Sequence, residues 1–239
     1  MIDLHCHFLP GVDDGARTMT DALALASAAV ANGITRSLLT PHVYPGVFDN
    51  RLSSLRPVFA SYQTALREAR IPLEVHLGGE VRLHPDAFEL LQGGELPIFG
   101  LGGGQGTVLV ELPDNRVPVG AVEACRAFGK QGIRCLIAHP ERNKEVMRDP
   151  MRLKPLIQSG CLLQLTAASV VGSFGKPAFQ TAHQLLGLGW VAVVASDAHN
   201  LAHRPPVMRE ARDLITRRYG AGLACRLTEE TAEAILTGL

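Results

Sequence analysis

Short apolar runs alternate with longer amphipathic segments along most of this chain. Seven runs rich in leucine or β-branched residues have the length of strands, at residues 2–7, 36–40, 73–77, 108–112, 134–138, 162–165 and 191–195. The segments between and after them have helical spacing, at residues 18–31, 52–68, 118–130, 153–158, 177–186, 206–218 and 228–236. Strands that alternate with helices indicate βα units and a parallel sheet, so the pattern predicts an α/β fold.

The segment between residues 77 and 108 is the least regular part of the pattern. Residues 85–91 look helical, but residues 93–106 are rich in glycine, which predicts a long loop. Residues 100–106 invite comparison with a phosphate-binding loop, yet they lack a Gly-Lys-Ser/Thr ending, do not match Gly-x-Gly-x-x-Gly, and precede a strand. We therefore expect a flexible connection there.

Length and charge narrow the class of protein. The 239 residues suit one domain over positions 1–239, and 23 Lys plus Arg balance 23 Asp plus Glu, which does not favour binding to nucleic acid. The apolar stretch 190–195 is far shorter than the roughly 18 residues that a membrane helix needs. No basic, apolar leader precedes the first strand, so we expect a cytoplasmic protein without membrane insertion. The sequence does not indicate an oligomeric state.

The five cysteines predict packing rather than chemistry. They are odd in number, have no Cys-x-x-Cys spacing and lie in apolar surroundings: Cys6, Cys125, Cys135, Cys161 and Cys225. Cys6 lies between His5 and His7, but neighbours on a strand point to opposite faces, so we expect Cys6 to face the helices.

Side chains that bind metals recur where the predicted strands end. They are His5, His7, His42, Glu80, Glu111, His139, Asp197 and His199. In a β/α barrel the carboxyl ends of all strands meet at one rim, so residues far apart in sequence can share one pocket. Each of them alone could be an ordinary hydrogen-bonded side chain. Eight together predict a site for more than one divalent ion, for which imidazole and carboxylate ligands suit manganese, iron or zinc.

Four further residues are expected near the same rim. Asp13 and Asp14 could be turn formers, but Asp13 could also complete a metal site with His42 and His199. Asp14 could act as an acid or orient a water. Arg142 and Arg204 follow ligand candidates closely and could bind phosphate oxygens, although surface arginine is the plain alternative.

The remaining histidines are not expected to bind metal. Residues His84, His183 and His203 occupy predicted helix or loop positions without obvious partners. His76 shares strand parity with Glu80, but Gly78 and Gly79 could break the register, so we leave it out of the site.

At these residues the chain resembles the PHP (polymerase and histidinol phosphatase) family, and within it the CpsB-type protein-tyrosine phosphatases of capsule and exopolysaccharide operons. The resemblance extends nearly from end to end. It is carried by Met-Ile-Asp-Leu-His-Cys-His at 1–7, Val-Asp-Asp-Gly at 12–15, Thr-Pro-His at 40–42, Gly-Gly-Glu at 78–80, Val-Glu-Leu at 110–112, Ile-Ala-His-Pro-Glu-Arg at 137–142 and Ala-Ser-Asp-Ala-His-Asn at 195–200. The segment 43–50 lacks basic residues that some relatives have.

The resemblance implies a distorted, TIM-like (β/α)7 barrel with two or three divalent metals, often Mn²⁺, with iron, cobalt, zinc or magnesium as alternatives. It implies nine metal ligands: His5, His7, Asp13, His42, Glu80, Glu111, His139, Asp197 and His199. Arg142 and Arg204 would hold the phosphate, and Asp14 would be a catalytic carboxylate. The implied substrate is the phosphotyrosine tail of a bacterial tyrosine kinase that regulates capsular polysaccharide synthesis.

We expect hydrolysis by attack of a metal-activated hydroxide on phosphorus. Three alternatives stay open: a small-molecule phosphatase such as one for histidinol phosphate, an amidohydrolase-like enzyme, and a non-catalytic module that binds phosphotyrosine. Glu111 stands where many amidohydrolases have a carbamylated lysine, which favours phosphate chemistry.

Overall fold

Parallel strands in a closed ring form the centre of the molecule. The structure is a computed structural model that describes residues 1–238. The strands are β1 (Ile2–Cys6), β2 (Arg36–Leu39), β3 (His42–Val43), β4 (Glu74–Leu77), β5 (Glu80–Arg82), β6 (Gly106–Glu111), β7 (Ile133–Ala138), β8 (Leu162–Thr166) and β9 (Val191–Ala195). The α-helices are α1 (Met19–Ala31), α2 (Leu52–Glu68), α3 (Asp86–Gln92), α4 (Ala121–Lys130), α5 (Lys144–Arg148), α6 (Lys154–Gln158), α7 (Ala167–Val171), α8 (Gly175–Gly187), α9 (Arg209–Tyr219), α10 (Ala221–Cys225) and α11 (Thr231–Thr237).

Two of the predicted strands, at residues 36–40 and 73–77, are each followed by a further short strand that the sequence did not predict. The hydrogen-bonded orders are β1-β2-β4 and β3-β5-β6-β7-β8-β9, with every pairing parallel. Pro41 separates β2 from β3, and Gly78 with Gly79 separates β4 from β5. Proline has no N–H to donate and glycine weakens a strand, so both positions interrupt the ladder. These breaks distort the barrel that the sequence predicted.

The ring closes between the first and last strands. The backbone N–H of Asp197 donates to the carbonyl of His5 at 2.7 Å, and that of His7 donates to Ala198 at 2.8 Å. Closure of a strand ring brings the carboxyl ends of its strands to one rim. The α/β, TIM-like barrel is therefore confirmed.

Two apolar cores pack against this ring, one inside it and one outside. The inner core fills the barrel opposite the rim and is closed by α11: it contains Ile2, Leu4, Leu38, Phe99, Leu109, Leu136, Val193, Ala232, Ile235 and Leu236. The larger outer core lies between strands and helices and includes Cys6, Phe8, Leu25, Tyr62, Phe128 and Leu163. Apolar side chains fill the interior at the end of the barrel that faces α11. The polar side chains inside the barrel therefore lie at the opposite end, at the rim.

The glycine-rich loop before β6 is more constrained than the sequence predicted. Phe99 is buried in the inner core and exchanges two backbone hydrogen bonds with Thr107. Gly100 has a φ of +70°, and a Cβ there would lie 2.3 Å from the carbonyl oxygen of Ile235 on α11. Gly100 therefore packs closely against the last helix, while residues 101–105 of the same loop are exposed.

The helices agree with the predicted pattern in position, apart from the five-residue helices α5, α7 and α10, which the sequence did not predict. Within the described residues all five cysteines are free, and Cys6 packs in the outer core. No helix in residues 1–238 has the length and apolarity required to cross a membrane.

Candidate metal centre

The polar rim surrounds a cavity of about 340 Å³ at the carboxyl ends of the strands. Its walls include Asp14, His42, Glu80, Glu111, His139, Arg142 and Arg204, which lie on β3, β5 and β6 or follow β1, β7 and β9. Residues separated by up to 190 positions in sequence therefore contribute to one surface, which the barrel topology requires.

The two histidines of β1 direct their Nε2 atoms to the same point. Both side chains are fully buried, and the two Nε2 atoms lie 3.2 Å apart. At the other side of each ring, His5 Nδ1 donates to Gln164 Oε1 at 2.9 Å and His7 Nδ1 donates to Asp13 Oδ2 at 2.7 Å. An acceptor at Nδ1 leaves the Nε2 lone pair free to bind a cation.

Two buried carboxylates face these nitrogens. Glu80 Oε2 lies 3.2 Å from His5 Nε2, and Asp197 Oδ1 lies 3.3 Å from the same atom. Burial opposes ionisation, but the surrounding histidines hold the pKa of both carboxyls well below the usual values. Within residues 1–238 these two oxygens have no hydrogen-bond donor. Buried anionic oxygens without a donor are costly unless a cation binds them, so this donor set fits divalent metals.

A second group of ligands lies beside the first. Asp14 Oδ1 is 3.3 Å from the Nε2 atoms of both His42 and His199, and the His7 and His199 rings are 3.8 Å apart between centroids. Burial opposes the charged form of His42, but Asp14 and Glu80 raise its pKa to about 9. Burial and His7 lower the pKa of His199 to about 4, which favours a neutral imidazole.

Four overlapping groups of potential ligands occur among the described residues. They are His5, His7 and Glu80; His5, His139 and Asp197; His42, Glu80 and Glu111; and His7, Asp14, His42 and His199. Each shares at least one residue with another group. A centre that holds more than one metal ion needs such shared side chains.

Asp13 and Asp14 have different partners in the rim. Asp13 accepts hydrogen bonds from His7 Nδ1 and from the backbone N–H groups of Gly15 and His42, and it is in none of the four groups. Asp14 carries the carboxylate that faces His42 and His199, and their hydrogen bonds lower its pKa. An ionised Asp14 suits metal binding or the orientation of a water. One-residue offsets of this kind depend on turn geometry, which spacing does not define.

Two of the candidate ligands have strained backbones. His139 has a φ of +31° and Asp197 a φ of +52°, and Arg70 is the third non-glycine residue with positive φ in residues 1–238. Side chains other than glycine avoid this region, and residues held there concentrate at functional sites. His139 lines the cavity immediately after β7, and the Asp197 carboxylate faces His5 and Arg142 immediately after β9.

Arg142 and Arg204 converge on one carboxylate oxygen. Both guanidiniums donate to Asp197 Oδ2, and both side chains also line the cavity. Arg142 additionally lies 4.7 Å from the ring centroid of Phe174, which restricts its orientation. The two arginines thus place positive charge beside the candidate metal ligands, a charge that phosphate binding would require.

The structure adds residues that sequence reasoning missed. Arg82, two positions after Glu80 on the same strand face, binds Glu111 at 2.9 Å and covers the ring of Tyr44. Gln164 is buried behind His5, and Lys144 lines the cavity next to Arg142. The strand parity of Arg82 with Glu80 was a usable signal. Gln164 and Lys144 had none, because polar residues of these types occur throughout the chain.

The histidines left out of the site lie elsewhere. His76 binds Glu74, and His84 binds Asp86. His183 Nε2 donates to the Val170 carbonyl at 3.0 Å, and its Nδ1 is hydrogen-bonded to the Tyr219 hydroxyl at 2.9 Å. Those three are held by neighbours outside the cavity, and His203 is exposed in the loop after β9.

Comparison with known proteins gives concordant results. Residues 1–237 match the family model for capsular polysaccharide synthesis proteins CpsB/CapC. The chain is 35% identical over 236 residues to the tyrosine-protein phosphatase YwqE of Bacillus subtilis, covering 99% of this chain and 91% of that protein. It is 29% identical to the tyrosine-protein phosphatase CpsB of Streptococcus pneumoniae, covering 99% of this chain and 98% of that protein.

A solved structure has the same architecture. It comes from crystallographic work on YwqE of Bacillus subtilis and CpsB of Streptococcus pneumoniae, described as unique metal-dependent tyrosine phosphatases. The TM-score is 0.92 with 34% identity, and the match covers 99% of this chain and 94% of the other.

Proposed function

The chain belongs to the CpsB/CapC family of capsular polysaccharide synthesis proteins, and from this premise we propose that it is a metal-dependent protein-tyrosine phosphatase. The observation that carries the proposal is the convergence of four overlapping ligand groups and two arginines on one cavity. A phosphate monoester needs both features, because cations must neutralise its oxygens as the bond to phosphorus breaks. One domain over residues 1–239 would contain the whole site.

We assign the metal-holding role to the members of the four ligand groups, with Mn²⁺ as the expected ion and two or three ions per chain. Asp14 joins these ligands, while Asp13 remains a candidate that also orients His7. Iron, cobalt, zinc and magnesium have compatible ligand preferences, so the choice between them depends on their availability. When bound, divalent ions supply Lewis-acid activation of water and of the phosphoryl oxygens.

The remaining steps belong to side chains of this chain. Arg142 and Arg204 bind the non-bridging phosphate oxygens and neutralise the charge that develops on them. Asp14, half-exposed beside the cavity and ionised at neutral pH, orients the attacking water and accepts its proton. A tyrosine leaving group has a pKa of about 10, so it departs with less protonation than an alkoxide needs.

The proposed physiological substrate is the phosphotyrosine tail of a bacterial tyrosine kinase that regulates capsular or exopolysaccharide synthesis. The names of the relatives support phosphotyrosine in proteins as the substrate class and capsule synthesis as the process. A kinase tail of this kind would place the enzyme in the cytoplasm.

The first test measures turnover of three phosphate esters with and without Mn²⁺: p-nitrophenyl phosphate, a phosphotyrosine peptide and histidinol phosphate. We expect Mn²⁺-dependent hydrolysis with a preference for the peptide. A preference for histidinol phosphate would identify a small-molecule phosphatase instead. Peptide binding without turnover of any ester by the metal-loaded protein would identify a binding module.

The second test substitutes Glu80 by Gln, because Glu80 belongs to two of the ligand groups. The amide keeps the size and removes the charge, so both Mn²⁺ stoichiometry and turnover should fall. Glu68→Gln, at the exposed end of α2, is the matched control. Full activity of Glu80→Gln in added Mn²⁺ would contradict the assignment.

A further inference from the structure

Gln164 lies on β8, directly behind the metal centre, and its side chain is fully buried. Its Oε1 atom accepts a hydrogen bond from the Nδ1 atom of His5 at 2.9 Å. The same oxygen lies 3.4 Å from the backbone nitrogen of His139, which donates to it. One side-chain oxygen therefore connects two candidate ligands that are far apart in the sequence.

The second contact supports a strained position. His139 has left-handed backbone geometry, which costs free energy for any residue with a Cβ. A hydrogen bond from its N–H to Gln164 stabilises this conformation, in which the His139 ring contacts Glu80 at 2.8 Å. Gln164 thus acts on the orientation of a β1 ligand and on the backbone of a β7 ligand.

The amide nitrogen of Gln164 makes no hydrogen bond within residues 1–238 that would stabilise the fold. Within the described part of the chain, Gln164 Nε2 is buried without a hydrogen-bond acceptor. An unsatisfied buried polar group costs about 1–3 kcal/mol. A residue chosen for packing alone would be apolar, so the two contacts of Oε1 are the feature that explains a glutamine here.

Histidine chemistry defines what these contacts do. A neutral imidazole has one N–H and one lone pair, so a fixed acceptor at Nδ1 places the lone pair on Nε2. For His5, Nε2 is the atom that faces His7, Glu80 and Asp197. An amide oxygen accepts without carrying charge, whereas His7 has the carboxylate of Asp13 in the equivalent position.

We propose that Gln164 is a positioning residue of the metal centre, whose oxygen holds His5 in the tautomer that presents Nε2 to a divalent ion and anchors the backbone of His139. The proposal rests on the metal-dependent function proposed above, because it assigns Gln164 a role toward the same ions. Outer partners of this type change metal affinity by about 10- to 100-fold when they are removed.

The experiment compares Gln164→Met, Gln164→Glu and the surface control Gln184→Met. Methionine keeps the shape and removes the acceptor, glutamate keeps an acceptor, and Gln184 is exposed on α8. Calorimetric titration with Mn²⁺ gives the affinity and stoichiometry of each protein. Two-dimensional ¹⁵N NMR of the histidine rings in the Zn²⁺-loaded wild type reports which nitrogen of His5 carries the proton.

We expect Gln164→Met to weaken Mn²⁺ binding by about tenfold or more, Gln164→Glu to regain most of the affinity, and Gln184→Met to match the wild type. The His5 ring should carry its proton at Nδ1. Wild-type affinity in Gln164→Met, or a proton at Nε2 of His5, would overturn the role of Gln164 while the phosphatase function stands. Absence of Mn²⁺ binding and of turnover in the wild type would instead overturn the proposed function.

Thermal unfolding will show whether Gln164→Met folds. If it does not, the Mn²⁺ affinity of Gln164→Glu and the histidine spectrum of the wild type still test the role of Gln164. Gln164→Glu with its affinity lost despite a native unfolding temperature would also contradict the proposal, because an acceptor is present in that variant.

Discussion

The two histidines of the first strand differ in the charge of their Nδ1 acceptors. His7 donates to the carboxylate of Asp13, and His5 donates to the neutral amide of Gln164. Burial alone would lower the pKa of His7, but Asp13 raises it well above the usual value. A carboxylate partner increases the donor strength of an imidazole, so His7 should be the stronger ligand of the pair.

Arg142 provides the first prediction at the residue scale. Lysine keeps its charge but loses the planar pair of N–H donors that fits a phosphate. Loss of a charged hydrogen bond costs about 1.5–3 kcal/mol, so kcat/KM for p-nitrophenyl phosphate should fall by roughly 10- to 100-fold in Arg142→Lys. Steady-state kinetics measures the loss, and Mn²⁺ stoichiometry checks that the metal is retained. Arg148→Lys, exposed at the end of α5, serves as control, and equal kcat/KM in both variants would exclude phosphate binding by Arg142.

Gly15 provides a second prediction, because its position leaves no room for a side chain. A Cβ there would lie 2.1 Å from the carbonyl oxygen of His7 and 2.5 Å from its Cβ. Gly15→Ala must displace His7, so Mn²⁺ affinity should fall and overpacking should cost about 1–3 kcal/mol of unfolding free energy. Urea unfolding and metal titration measure both effects.

The control for this substitution is Gly129→Ala in α4. A Cβ at Gly129 meets no atom within 4 Å, and alanine favours a helix by up to about 1 kcal/mol. This variant should be as stable as the wild type or more so. Equal stability and equal metal affinity of the two alanine variants would show that the contact with His7 is unimportant.

At the scale of elements, α1 begins with a reciprocal cap. The backbone N–H of Asp21 donates to Thr18 Oγ1 at 3.2 Å, and the N–H of Thr18 donates to Asp21 Oδ2 at 3.0 Å. Thr18→Ala removes this acceptor and should lower the unfolding free energy by about 1 kcal/mol. Ser27→Ala, on the exposed face of the same helix, is the control, and urea denaturation distinguishes them. Equal losses of unfolding free energy in Thr18→Ala and Ser27→Ala would indicate that the cap does not stabilise the helix.

The packing of α8 against α9 should depend on pH through His183. Burial lowers the pKa of His183, whose ring is held by Tyr219 and the Val170 carbonyl. The unfolded chain therefore takes up this proton first as pH falls. The stability that His183 contributes is present above the unfolded pKa of about 6.5 and is lost as pH falls through the lower folded value.

His183→Gln cannot titrate at this position, so its unfolding free energy should decline less than that of the wild type between neutral pH and pH of about 5.5. Urea unfolding at both pH values measures this decline for each protein. The histidines of the candidate metal centre are present in both proteins, so their titration cancels when the two declines are subtracted. Parallel decline of the two proteins would mean that His183 has the same pKa in both states.

At the scale of the whole molecule, metal binding should stabilise the barrel. The candidate ligands lie on β1, β3, β5 and β6 and after β1, β7 and β9, so a bound ion would connect the start of the chain to its end. A ligand at 100 times its Kd adds about 2.7 kcal/mol to stability. For a protein of this size that corresponds to a rise in Tm of roughly 5–10 °C.

This prediction is checked by differential scanning calorimetry of chelator-treated protein with and without added Mn²⁺. The variant Glu80→Gln should show a smaller rise than the wild type, because one shared ligand is weakened. An unchanged Tm in the wild type would contradict binding of Mn²⁺ to the folded state.

Much of this architecture could be predicted because it follows from local patterns. Alternation of strand and helix periods indicated a parallel barrel, and ligand residues after successive strands indicated a shared rim. The break at Gly78-Gly79 was anticipated from the glycine pair, but the short strands β3 and β5 and the packing of the loop near Gly100 were not predicted, because they depend on contacts with distant segments.

By itself the sequence determined the alternation of strands and helices, the types of the candidate ligands and their place after successive strands, since strand and helix periods are local properties of the chain. Only the tertiary structure decided which oxygen or nitrogen faces which partner. It placed Asp14 among the ligands and Asp13 behind His7, and it brought Gln164 to His5 across 159 positions. Such contacts depend on turn geometry and on side-chain directions in a closed barrel, which no spacing along the chain specifies.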